Sequence, residues 1–187
     1  MSTLELKELS HPAGEVIKIA SGKTLDLKTQ GSVTMPTGSV LQVVNATLTT
    51  AISTTSTTFV DVLTASITPT SASSKILVNI STMLGHDGGS GAFVGLLRDT
   101  TNLISNTAGG VSDTKNAWST HTADHSNSPN REVSHPSITY LDSPATASSI
   151  TYKLQYVAAG GTVYVNRWAL NTDHAGVTTI TLMEIQG

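Results

Sequence analysis

No cysteine occurs in this sequence, which excludes a disulfide framework and a zinc–thiolate site and leaves the redox compartment open. Charge is scarce as well: Asp, Glu, Lys and Arg make up 12% of the residues, against about 25% in an ordinary globular domain. The net charge is −3 and the pI is near 6.0. The ten Lys and Arg stand singly along the chain, with no basic stripe to neutralise phosphates, so no nucleic-acid partner is expected. No apolar run reaches the 18 or so residues that a spanning helix needs, so no membrane insertion is expected. The opening Met1-Ser2-Thr3-Leu4-Glu5 lacks the basic start and apolar core of a signal peptide, and synthesis in a cytoplasm without classical export is the expectation. On that expectation the sequons Asn45-Ala46-Thr47 and Asn79-Ile80-Ser81 are chance matches.

Ser and Thr take up the space that charge leaves, at about 50 of the 187 positions. Thr favours strands, and no long helical periodicity competes with it. Val, Ile and Leu are too frequent for intrinsic disorder. The chain suits one domain of ordinary size, or one domain with an appendage. Only eight large aromatics occur, and four of them, Tyr152, Tyr156, Tyr164 and Trp168, fall within residues 150–170. There Tyr152, Leu154 and Tyr156 alternate with Thr151, Lys153 and Gln155, the period of a strand with one buried face. Ala158-Ala159-Gly160-Gly161 then reads as a tight reversal, and Val163 and Val165 alternate with Tyr164 and Asn166. The pattern predicts a hairpin around which the rest of the domain is built.

Residues 1–36 are different. Three short apolar pieces, Val16-Ile17-Lys18-Ile19, Leu25-Asp26-Leu27 and Val33-Thr34-Met35, recur every eight or nine residues between turn signals. A segment this thin cannot bury two faces by itself; it reads as a thin extended or β attachment segment, served by identical chains around an axis, or else as a mobile arm. Pro36-Thr37-Gly38-Ser39 marks the boundary, giving an N-terminal segment 1–36 and a C-terminal domain 37–187. Beyond it, residues 40–45 read as a buried strand, 46–58 as an edge strand with a loop, and 75–83 as a clean strand with Ile76, Val78 and Ile80 on one face. Residues 86–91 read as a flexible loop and 92–97 as a strand, with another starting at Leu103-Ile104. Residues 105–135 form a long polar excursion, and loops of that length are functional or mobile. Residues 177–185 close the chain with Val177, Ile180, Leu182 and Met183 available for burial. About eight strands at these spacings predict an all-β fold, a jelly-roll-like antiparallel β-sandwich.

Chemistry is sparse. His121, Asp124, His125 and His135 cluster in the long loop, and His121 and His125 have an i, i+4 spacing that would face one metal on a helix. The surrounding Gly, Ser, Asn and Pro argue against a helix, so a solvated loop is the preferred reading and no metal or cofactor is expected. His86 and Asp87 beside Gly88-Gly89 are read in the same way. No Gly-x-Ser-x-Gly elbow, phosphate loop or dinucleotide fingerprint is present, and no carboxylate dyad stands out. An enzyme is therefore not expected. Trp118 is suited to stacking on a sugar ring or filling a neighbour's pocket, or to anchoring its own loop. The candidate contact residues are thus Trp118, His121, Asp124, His125, His86 and Asp87. Lys153, Gln155, Val163, Val165, Arg167 and Trp168 form the candidate subunit interface, the mixed face of the expected hairpin.

Met1-Ser2-Thr3-Leu4, Ser21-Gly22-Lys23-Thr24-Leu25 and Met35-Pro36-Thr37-Gly38-Ser39-Val40-Leu41-Gln42-Val43-Val44 resemble the start of small fibre-type structural virion proteins of tailed bacteriophages, many of them marine. Phe59-Val60-Asp61-Val62, Ile67-Thr68-Pro69-Thr70-Ser71-Ala72-Ser73-Ser74-Lys75-Ile76-Leu77-Val78 and Thr181-Leu182-Met183-Glu184-Ile185 continue the likeness, and residues 84–135 are the least matched. The resemblance implies a homotrimeric structural virion protein, held to another virion protein through residues 1–36, with a β-rich C-terminal head. The first functional reading is a fibre or knob whose head loops, residues 85–91 and 106–134, contact a host glycan or protein. A capsid decoration or head-fibre protein is the second reading, and a glycan-degrading enzyme the third.

Overall fold

The computed structural model describes residues 21–22, 33, 35–87, 91–103, 119–121, 133–169 and 172–187, with 119–121 as backbone only. The chain divides into two compact units, Met1–Thr34 and Met35–Gly187. Among the described residues the second holds every strand: β1 (Val40–Leu48), β2 (Ile52–Thr54), β3 (Val60–Ile67), β4 (Lys75–Ser81), β5 (Leu84–Asp87), β6 (Ala92–Arg98), β7 (Thr101–Asn102), β8 (Ser119–His121), β9 (Val133–Ser134), β10 (Ser137–Asp142), β11 (Ile150–Ala158), β12 (Thr162–Val165) and β13 (Thr178–Ile185). There is no helix among the described residues.

Two four-position sheets face each other, in the orders β1-β13-β4-β10 and β3-β11-β6-β7, with β8 continuing alongside β6. All pairings are antiparallel. Except for β6 to β7, each principal strand is followed in the chain by one in the opposite sheet. Eight positions connected in that way make the two-sheet jelly roll that the strand spacing suggested. The alternation read from the sequence explains the core. Ile76, Val78 and Ile80 of β4 and Ile180 and Leu182 of β13 face Tyr152, Leu154 and Tyr156 of β11 and Val94 and Leu96 of β6, all buried. Burying an aliphatic or aromatic side chain of this size contributes about 1.5–3 kcal/mol each.

A third, smaller sheet, β2-β12-β5-β9, is assembled from the crossovers between the two main sheets. Its strands follow β1, β11 and β4 and precede β10, so all four lie at one end of the sandwich. The chain enters at the other end, where Gly38 donates to the carbonyl of Gln186 at 2.8 Å and Gln186 to that of Ser39 at 2.8 Å. The head therefore has an entry pole, which also carries the C-terminal residues, and a loop pole.

Several expectations are corrected here. Residues 150–170 do not form a hairpin. Both edges of β11 are occupied, by β3 and by β6, while β12 pairs with β2 and β5 in the third sheet. Gly161 does take a positive φ of 69°, yet the bend passes the chain between sheets. Residues 40–45 are an edge strand with Val40 and Val43 half exposed. On β13 the buried face is Thr178, Ile180, Leu182 and Glu184, and Val177 is exposed. The strand near Leu103 is β7, Thr101–Asn102. The short apolar pieces at 16–19 and 25–27 lie outside the described residues.

Candidate functional site

The loop pole is organised by Asn166, which follows β12 in the left-handed conformation with φ 60°. Asn tolerates that region better than other non-glycine residues. Its side-chain amide donates to the carbonyls of Leu48 at 2.7 Å and Thr50 at 3.2 Å, and its Oδ1 accepts from the Thr178 hydroxyl at 2.8 Å. Its backbone N–H donates to Met83 O at 2.9 Å. One buried residue thus ties the end of β1, the start of β13 and the link from β4 to β5. Thr82 extends the network, its hydroxyl 2.7 Å from that of Thr178.

Immediately after Asn166 the chain runs out and returns. Arg167 bridges Ala175, and Trp168 N–H donates to His174 O at 3.3 Å. This return sets the Trp168 indole edge-on to the His174 imidazole, centroids 5.0 Å apart at 81°. Together with Met83, Val133 and His135 they line a pocket of about 380 Å³. Two glycines allow the close packing behind it. A Cβ on Gly85 would lie 2.6 Å from the carbonyl oxygen of Arg167, and one on Gly176 would lie 2.9 Å from Met83 Cβ. The Trp168 indole Nε1 is buried and has no hydrogen-bond partner among the described residues. A buried unpaired donor costs about 1–3 kcal/mol. Its walls otherwise are a thioether, an isopropyl group and two imidazoles, with no Asp, Glu, Lys or Arg among the described lining residues. No group of three or more potential metal ligands occurs among the described residues.

No family model matches the chain, and no curated protein is similar to it. Solved structures of infectious bursal disease virus are weakly similar. The Gx strain structure shares 12% identity at a TM-score of 0.35, over 88% of this chain and 46% of that one. The Gt strain structure shares 13% at 0.37, over 88% and 42%. A VP2 subviral particle of the same virus shares 13% at 0.34, over 88% and 42%. The chain spans less than half the length of each. A likeness of this strength does not extend to function.

Of the candidate contact residues, His86 and Asp87 are placed in a strand and not in a loop. His86 is in strand β5 and fully buried, with Nε2 2.9 Å from Gly160 O and Nδ1 without a partner. Asp87 ends the same strand and is held by Thr162 N–H at 2.7 Å and the Tyr164 hydroxyl at 3.0 Å. Both were expected in a flexible loop; pairing of β5 with β12 orders them instead. His121 lies in β8 opposite Ala92. Trp118, Asp124 and His125 lie outside the described residues. The candidate interface set is likewise divided. Val163 and Val165 are in the core. Lys153 and Gln155 sit on the outer face of β11 and both engage Asp61, at 3.5 Å and 2.6 Å. The Arg167 guanidinium stacks 4.5 Å above the Tyr164 ring, and Trp168 lines the pocket. The hairpin that would have made these one face does not exist.

A different face is apolar. Val43, Met183, Leu77 and Leu141 are cross-strand neighbours on β1, β13, β4 and β10, and they form one row across the outer side of that sheet. Val43 is 56% exposed and Leu141 51%. The next two rows, Asn45-Thr181-Asn79-Thr139 and Thr47-Thr179-Ser81-Ser137, are polar and uncharged. Sequence reasoning missed this row because its members come from four separate strands, and only the register aligns them.

Proposed function

We infer that the chain is a structural virion protein of a tailed bacteriophage, acting as a homotrimeric knob and not as an enzyme. Residues 1–36 hold it to another virion protein, and the loop pole meets a glycan or protein on the host surface. The observation that carries this reading is the polarity of the head. The polypeptide enters at one pole, and the third sheet with its pocket closes the opposite pole. A support that leads in through the N-terminus leaves the loop pole as the outward end.

The row Val43, Met183, Leu77 and Leu141 supports self-association. Exposed apolar rows of this kind mark interaction surfaces. The two uncharged rows beside it lie toward the loop pole, and the row on its other side, Val40-Ile185-Lys75, adds one lysine per copy. Neutral Ser- and Thr-rich surfaces and the absence of cysteine suit a part assembled in a cytoplasm and used outside the cell.

Light scattering on the purified chain tests the assembly: a trimer has three times the 19.4 kDa of one chain, and a monomeric mass contradicts it. Copy number per particle, counted by mass spectrometry, separates a tail knob from a capsid decoration. Hundreds of copies would assign the chain to the capsid. Release of sugar from host polysaccharide by the purified protein would overturn the non-enzymatic reading.

A further inference from the structure

We propose that copies of this chain join edge to edge, β10 of one against β1 of the next, so that the β1-β13-β4-β10 sheet runs on from copy to copy. The join rests on the homotrimer reading for its closure at three. Among the described residues β1 pairs with β13 and β10 with β4, which makes them the outer strands of that sheet. Outer strands offer backbone N–H and C=O groups to a further strand, and natural proteins guard them with Lys, Pro, a bulge or an inward-pointing charge. β1, VLQVVNATL, has neither charge nor proline, and its one irregularity lies between Val40 and Gln42. β10, SITYLD, has one charge, Asp142, which is buried and held by Arg98. Both guards sit at the entry-pole ends of their strands. Residues 43–48 and 137–141 carry none.

Direction and side-chain chemistry select the partner. The four strands alternate in direction, so β1 and β10 run oppositely. Copies related by rotation about an axis along the strands therefore bring β10 antiparallel to a neighbour's β1, a heterologous contact that closes into a ring. The row Asn45-Thr181-Asn79-Thr139 alternates Asn with Thr, and its members already bond in that way. Asn45 Nδ2 donates to Thr181 Oγ1 at 2.8 Å, and Thr139 Oγ1 donates to Asn79 Oδ1 at 2.9 Å. Asn45 of the next copy beside Thr139 continues the alternation. In the same register Leu141 meets Val43 of the next copy, and both are half exposed in the single chain. A twofold join of β1 to β1 does not match both rows: with Val43 opposite Val43, Asn45 falls opposite Leu41.

The chain has no cysteine, so introduced thiols report the join directly. Asn45→Cys and Thr139→Cys are combined in one full-length chain, and Val43→Cys and Leu141→Cys in another. Within one chain each pair is three strand spacings apart, about 14 Å at about 4.8 Å each. A disulfide needs Cα atoms about 4.4–6.8 Å apart, which only direct cross-strand neighbours satisfy. After mild oxidation, a non-reducing denaturing gel should show linked species ending at three times 19.4 kDa from the double variants, and only single chains from each single variant. Linked dimers from Asn45→Cys or Val43→Cys alone would place β1 against β1 and overturn the proposal. Light scattering on the parent chain separates this join from the trimer reading. A trimeric parent with no linked species from either double variant refutes the join alone, and a monomeric parent refutes both. A ladder beyond three copies supports the join and contradicts closure at three.

Discussion

The Tyr152 phenol donates to the Asp142 carboxylate across 2.6 Å, and that bond joins the two facing sheets, β11 in one and β10 in the other. Arg98 of β6 completes the clasp, its Nη1 2.8 Å and 2.7 Å from the two carboxylate oxygens. Asp142 is buried, so removing its charge strands a guanidinium whose only solvent access is partial. Asp142→Asn should cost about 2–4 kcal/mol, and Tyr152→Phe, which loses one bond to a charged group, about 1.5–3 kcal/mol. Urea unfolding of the two variants checks both the size and the order.

Tyr152 also gives the fold an alkaline limit. Burial, then the bond to Asp142 and its negative charge, push the phenol far above its ordinary range. In the unfolded chain it ionises near pH 10. The folded state then binds more protons, so this contribution is present in full below about pH 10 and is lost progressively above it. Tyr156 and Tyr164 are pushed upward as well, so Tyr152→Phe should reduce the alkaline slope without abolishing it. Unfolding midpoints between about pH 9 and pH 11 read the difference, and identical slopes would contradict it.

Glu184 sets the acid limit. Its burial raises the pKa, but the Thr70 hydroxyl, Gln42 and the Thr70 backbone N–H outweigh that and hold the carboxyl below its ordinary value. The three bonds are 2.6–2.7 Å long. With the folded pKa depressed, the stabilisation is present above the unfolded value of about 4.3 and is lost as pH falls through the folded one. Glu184→Gln should therefore be about 1–3 kcal/mol less stable at pH 7, with the gap to the parent closing in strong acid. A gap that persists there would show that the site acts by shape and not by charge.

The same residue shows what was legible in the sequence. Apolar runs and alternation identified β4, β6, β11 and β13 as strands and the spacing as a jelly roll, because hydrophobic pattern and turn chemistry are local. Partnership is not local. Tyr152, Leu154 and Tyr156 were correctly placed facing the core, yet the glycine pair after them was read as a hairpin reversal when it is a passage into another sheet. His86 and Asp87 looked like loop because glycines follow them, but a strand from 75 residues later pairs with them. On the last strand Met183 was expected in the core, but Glu184 is the buried neighbour; it is held by Thr70 and Gln42, which no period reveals. The Trp168–His174 pocket had one signal, a large aromatic at a strand end, and was assigned to core or subunit contact.

Asn166 makes a sharper test of the loop pole. Asn166→Gly keeps the positive φ at little strain but removes the donor to the Leu48 and Thr50 carbonyls and the acceptor of the Thr178 hydroxyl, which keeps only Thr82 as a side-chain partner. Asn166→Ala adds the cost of a left-handed alanine, about 1 kcal/mol. Losses of about 2 and about 3 kcal/mol are expected respectively, with hydrogen exchange accelerating first in Ile52–Thr54. Equal stability of the two variants would mean that the backbone conformation carries no strain.

The apolar row gives a prediction for assembly. Val43→Glu and Leu141→Glu each place a charge on an exposed strand position, where surface substitutions change monomer stability by about 0.5 kcal/mol or less. Both should lower the mass in solution while leaving the head folded by circular dichroism. Lys153→Glu, on the outer face of the opposite sheet, should leave the mass unchanged. If Lys153→Glu dissociates the assembly and the row variants do not, subunits meet through the other sheet.

The most direct measurement is immunogold imaging of intact particles from the genome that encodes this chain, with antibodies against residues 35–187. A structural virion knob predicts gold on every particle, at fixed sites and with the loop pole outermost. Label confined to the host lysate, with none on purified particles, would contradict it.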